Sequence, residues 1–139
     1  MPGEISERLR LLVAERAGRQ CEYCRLHEDD AGYPHQIDHI ISRKHHGPSV
    51  ESNLAYACVV CNRRKGADVA TIDERSLEAV RLFHPRRDQW SQHFTFEGPY
   101  ILPLTPEGTA TIQVLQLNAT ERIEERRILL RLNRYGDRG

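Results

Sequence analysis

The chain has 139 residues, 20 basic and 20 acidic, which suits one domain or one domain with a short extension and allows about two thirds of the unfolded surface to be buried. Balanced charge with 39% hydrophobic residues excludes a disordered polyelectrolyte. No apolar run nears the ~18 residues of a membrane span, and the opening stretch MPGEISERLR lacks the apolar core of a signal peptide, so the expectation is a soluble, cytoplasmic protein with no membrane partner. An isoelectric point near 7.1 also excludes blanket basicity, so any site for a polyanion has to be a local basic patch.

In chain order, residues 6–17 predict a helix. Ser6 caps it, Leu9, Leu12 and Val13 are its apolar positions, and Gly18 stops it. The stretch 27–34 is polar and reads as loop. Residues 36–41 are rich in isoleucine and predict a short strand. A loop over 42–52 holds Gly47-Pro48, and 53–57 predict a second short strand. Residues 59–65 predict a helix closed by Gly66. Further on, 71–82 are expected to hold a helical turn capped by Asp73. A short helix is expected over 85–93, with Pro85 in its first turn. Phe94-Thr95-Phe96 and Tyr100-Ile101-Leu102 flank Glu97-Gly98-Pro99 and predict a hairpin. Two helices, over 106–117 (capped by Thr105) and 119–134, complete the chain.

All four cysteines fall into two pairs of CxxC spacing, Cys21/Cys24 and Cys58/Cys61. Redox CxxC motifs usually come singly, near a βαβ pattern that is absent here. Two pairs in a chain without an export signal point to a metal, and four thiolates close a tetrahedral zinc site. The 33 residues between the pairs exceed the ~15–20 of a simple zinc ribbon. The strand, loop, strand and helix therefore lie inside the zinc frame.

Within that frame stand Ile37-Asp38-His39-Ile40, Asn53-Leu54 and Cys58-Val59-Val60-Cys61-Asn62 with Lys65. With Cys21 and Cys24, these residues resemble the HNH endonuclease family in its subclass with two CxxC pairs. The resemblance covers residues 21–66. The stretch Leu82-Phe83-His84-Pro85-Arg86, with Trp90 and His93-Phe94, looks like a tail found in some small bacterial members.

The resemblance implies an α+β fold: a ββα-metal finger stapled by a four-cysteine zinc site, an N-terminal helix, and a mostly helical C-terminal extension. Residues 1–66 would be the nuclease core. Residues 67–139 would be the extension, with its hairpin and helices packing on that core. The implied activity is metal-dependent DNA endonuclease, by nicking or double-strand cleavage. Carried over residue by residue, His39 is the general base, Asp38 and Asn62 hold a catalytic divalent cation, and Asn53 fixes the loop and orients the base. The last motif position is histidine in many members and asparagine in others. An amide oxygen suits Mg²⁺ or Mn²⁺ better than zinc, and a neutral imidazole can take a proton from water at pH 7.

Basic residues gather around this constellation. Over 39–66, Arg43, Lys44, Arg63, Arg64 and Lys65 stand against Glu51 alone. Arg43, Lys44, His45, Arg63 and Lys65 are the expected phosphate contacts, and Lys65 shares a helix face with Asn62. Where the family loop often carries His-Gly-Gly, this chain has His45-His46-Gly47. The aromatic residues Phe83, Trp90, Phe94 and Phe96 are expected to form a core, and His84 a cap. One alternative to a nuclease is a zinc-stapled nucleic-acid-binding module without catalysis. Another is a structural zinc protein for protein contacts. The C-terminal amphipathic helix can pack within the monomer or pair two copies as a homodimer.

Overall fold

The computed structural model describes residues 4–135. Its architecture is mixed α and β, with five helices and three separate two-stranded antiparallel sheets among the described residues. The chain divides into two compact units. One runs through Val69 and takes in His84–Arg87; the other holds Ala70–Phe83 and the chain from Asp88 on. No helix among the described residues is long and apolar enough to cross a membrane.

In the first unit, helix α1 (Glu7–Arg16) is capped by the Ser6 hydroxyl, which accepts from the Leu9 N–H. Val13 and Ala14 pack with Leu54 and Tyr56, flanked by Leu9 and Ile37. Arg16, in the last turn, donates to the carbonyls of Glu51 and Leu54. Strands β1 (Gln36–His39) and β2 (Leu54–Ala57) pair antiparallel, with His39 opposite Leu54 and Asp38 opposite Ala55. Helix α2 (Val59–Lys65) follows β2 directly. The ββα order expected from the sequence is therefore present. The strand predicted over 36–41 stops at His39, because Asn53 intervenes: its carbonyl accepts from the Ile40 N–H and its side chain takes over Ile41.

In the second unit, the helical turn expected over 71–82 is a hairpin instead. Strands β3 (Ala70–Ile72) and β4 (Ala79–Arg81) pair Thr71 with Val80. β-branched residues favour that pairing, and Asp73 caps no helix. Its carboxylate accepts from the Arg75 and Ser76 N–H groups and folds the turn. The helix expected over 85–93 shortens to α3 (Trp90–His93). In the preceding His84–Arg87 segment, which belongs to the first unit, His84 Nδ1 accepts from the Arg86 and Arg87 N–H groups, which makes it a cap. The expected hairpin is β5 (Phe94–Glu97) with β6 (Tyr100–Pro103). Helix α4 (Pro106–Leu115), capped by Thr105, ends where Gln116 turns left-handed, and α5 (Thr120–Arg131) follows.

The aromatic residues of this unit form a core. Phe83 meets Phe94 edge-on at 5.4 Å, and the Trp90 ring lies 5.0 Å from both Phe94 and Phe96. Arg126 is fully buried and donates to the carbonyls of Pro99 and Leu117 and to the Asn118 side chain. A guanidinium there ties α5 to the turn of the β5–β6 hairpin.

Candidate active site

The four cysteines are buried, and their sulfur atoms all lie within 4.8 Å of one another. Cys24 Sγ is 3.8 Å from Cys58 Sγ, far beyond the about 2.05 Å of a disulfide. Zinc–sulfur bonds of about 2.3 Å in a tetrahedron give edges of about 3.8 Å. The backbone is shaped to match: the Cys24 N–H points at Cys21 Sγ and the Cys61 N–H at Cys58 Sγ, both at 3.4 Å. Burial raises the Cys21 thiol well above its ordinary value, so a bound cation is what would stabilise it as thiolate. The cluster fits a structural zinc.

The two residues inside the first pair reach outward from it. Glu22 accepts from the Tyr56 N–H on β2 at 2.8 Å through one oxygen and pairs with Arg86 through the other. The His84–Arg87 segment is thereby fastened to the metal knuckle. Tyr23 is fully buried, and its hydroxyl donates to Asp38 Oδ2 at 2.6 Å. Nothing in the CxxC spacing signals either contact.

Asp38 and Gln36 share one face of β1, as alternation requires, and α2 lies across that face. Lys65 Nζ is 3.3 Å from Asp38 Oδ1 and donates to the carbonyls of His39 and Ile40. The side chains of Lys65 and Asp38 are only 2% and 3% exposed. This corrects the expectation that Lys65 contacts phosphate: its ammonium is turned inward and spent on the protein. Burial raises the Asp38 pKa above the ordinary carboxylate value, against the pull of Lys65 and Tyr23. Asn62, one turn back on α2, donates to Gln36 Oε1 at 2.6 Å. Both Asp38 oxygens are thus engaged, and a cation on Oδ1 would face the Lys65 ammonium, whereas the Asn62 contact uses its amide nitrogen and not the oxygen a cation would take. As arranged, Asp38 does not fit the implied catalytic cation.

A buried pair broken on one side leaves the other charge uncompensated. Lys65→Met should therefore cost about 3–5 kcal/mol at neutral pH. Without its ammonium, Asp38 folds with a pKa raised further above the unfolded value, so the loss should shrink as pH falls and Asp38 takes a proton. Urea midpoints at pH 5 and pH 8 test this. A variant as stable as the parent at both would remove Lys65 from the core.

His39 ends β1 and is half-buried. Its Nε2 lies 2.8 Å from Ser49 Oγ and 3.4 Å from Arg43 Nε. Burial lowers its pKa below the ordinary imidazole value, helped by the charges of Arg43 and Lys65. The ring is therefore neutral at pH 7, as a base requires. The loop that carries Ser49 is held by Asn53, which is buried. Its Oδ1 accepts from the Ile41 N–H, and its Nδ2 donates to the carbonyls of Ile41 and Pro48. Gly47 is obligatory here, because a Cβ would stand 1.6 Å from the Ile41 carbonyl oxygen. His46, by contrast, only supplies a left-handed turn (φ 66°), a conformation a histidine can adopt at modest cost.

The remaining basic residues divide. Arg43, Lys44 and His45 form an exposed 3₁₀ turn, and Arg63 is exposed on α2. Arg64 is half-buried. With Lys65 neutralised inside, the outward charge is smaller than the sequence count suggested. Ser49, Tyr23 and Glu22 were not singled out from the sequence. Only Ser49, two residues past an obligatory glycine, carried any hint.

A β-hairpin and helix closed by four cysteines, with a histidine at the strand end, define a metal-stapled ββα unit. Residues 21–68, about a third of the chain, match the model of the HNH endonuclease family. No curated protein and no solved structure matches the chain.

Proposed function

We propose that the protein is a DNA endonuclease that hydrolyses phosphodiester bonds with His39 as general base. The observation that carries this reading is the placement of His39. It stands at the end of β1 with Nε2 2.8 Å from Ser49 Oγ, flanked by the exposed turn of Arg43, Lys44 and His45, and burial lowers its pKa below the ordinary imidazole value. Arg43, Lys44, His45 and Arg63 would meet the phosphate backbone, which supplies most sequence-independent affinity. Asn53 holds the loop that presents them. The four-cysteine zinc is structural and takes no part in the chemistry. Because both Asp38 oxygens are otherwise engaged, no step is assigned to a second cation.

That same engagement favours the alternative, a zinc-stapled nucleic-acid-binding module without catalysis. One experiment separates the two. Incubated with supercoiled plasmid in Mg²⁺ or Mn²⁺ buffer, the zinc-loaded protein should yield nicked or linear DNA. Plasmid that is retarded on a gel yet stays supercoiled would establish the binding module instead.

A further inference from the structure

A helix that packs one face on a core usually gives the opposite face to polar residues. Helix α1 departs from that pattern. Its helical repeat puts Arg8, Leu11, Leu12 and Glu15 in one stripe, on the side away from Val13 and Ala14, the residues it buries. All four stripe residues are exposed, Leu11 to 46% and Leu12 to 37%. A lone leucine on a surface needs no explanation. Here two adjoin at the solvent-facing pole, with an arginine three residues before them and a glutamate three residues after. The result is an apolar patch with opposite charges at its two ends.

We propose that this stripe joins two copies of the chain, α1 against α1, antiparallel about a two-fold axis that passes between Leu11 and Leu12. The order of the charges points to that occupant. A two-fold axis makes a patch meet itself, so residues equidistant from the axis face each other. Arg8 then lies opposite the partner's Glu15, and Glu15 opposite the partner's Arg8, which closes both ends with opposite charges. The four leucines meet at the centre and leave water. A parallel pairing would set Arg8 on Arg8 and Glu15 on Glu15, and a DNA backbone would meet the Glu15 carboxylate. Within its own copy Glu15 is loosely held: its contact with Arg19 is 4.0 Å long, and its side chain is 71% exposed. One pair of 10-residue helices is small beside the roughly 1,200–2,000 Å² of standard complexes, so the dimer forms and separates with concentration. The contact does not depend on whether the protein cuts DNA.

Sedimentation equilibrium of the zinc-loaded protein, from about 10 μM to about 1 mM, should show monomer passing into dimer. Arg8→Glu puts acids at both ends of the stripe, and Glu15→Arg puts bases at both ends. Each variant alone should repel its own copies and raise the dissociation constant about tenfold or more, from two ion pairs lost and two repulsions gained. An equimolar mixture of the two variants should bring the dimer back, because every glutamate then faces an arginine. Should one single variant melt early, the double variant Arg8→Glu/Glu15→Arg replaces the mixture, since it pairs with itself and should dimerise like the parent. A parent that stays monomeric over the whole range would overturn the proposal. So would a dimer indifferent to the single reversals, or a mixture or double variant that stays monomeric.

Discussion

Replacing Cys58 with serine should cost the protein its metal and the fold of its first unit. Structural zinc contributes roughly 10 kcal/mol or more to small metal-stapled units, which matches or exceeds the entire stability of an ordinary domain. Cys58 has a second duty that sharpens the expectation. Its sulfur caps α2 by accepting from the Cys61 N–H, and α2 carries Asn62 and Lys65 to the face of β1. Losing the metal therefore loosens the helix that buries Asp38. Metal content per chain and hydrogen exchange of β1, β2 and α2 would be measured together. The expected result is about one zinc in the parent, none in the variant, and unprotected amides across all three elements. Full protection in a zinc-free variant would show that the four cysteines merely pack.

How the sequence announced this unit, and where it fell silent, follows from the range of the interactions involved. Paired cysteines, a glycine-proline loop and a glycine stop are local signals, and each marks an element that the structure contains. The zinc frame adds the one long-range fact that spacing alone conveys: residues 21–24 and 58–61 must meet. Lys65 shows the opposite case. On the sequence it is one more cation after Arg63 and Arg64, a solvated face by default. Only the docking of α2 across β1 places Asp38 opposite it and turns the charge inward. The Asp73 turn failed for a related reason. An aspartate before a polar stretch caps a helix or folds an Asx turn equally well, and the pairing of Thr71 with Val80 decided between them. Ser49 lay outside any motif because its partner, His39, is ten residues away across a loop whose path depends on Asn53 and Gly47.

His39→Ala should lower the cleavage rate by about 10²–10⁴, the usual cost of removing a general base, while DNA affinity and zinc content stay at parental values. Its half-buried side chain makes its contacts at the loop, and the core cluster of Val13, Ala14, Leu54 and Tyr56 does not include it. The melting temperature should accordingly change little. The pH dependence gives an independent reading. Burial and the charges of Arg43 and Lys65 lower the His39 pKa from its ordinary 6.5, so the imidazolium is the minority form at pH 7. A base acts when deprotonated. The parental rate should therefore rise with pH through a value below 6.5 and be level by neutrality, and the variant's residual rate should lack that limb. A histidine that served only to brace the loop would behave differently: its removal would lower the melting temperature, and activity would fall only as far as the folded fraction fell. Rates and melting curves taken on one preparation, from pH 5 to pH 8, distinguish the two. A folded His39→Ala protein that cuts plasmid at the parental rate, with the acid limb intact, would take the chemistry away from His39 and leave the basic turn and α2 with nothing to do but bind.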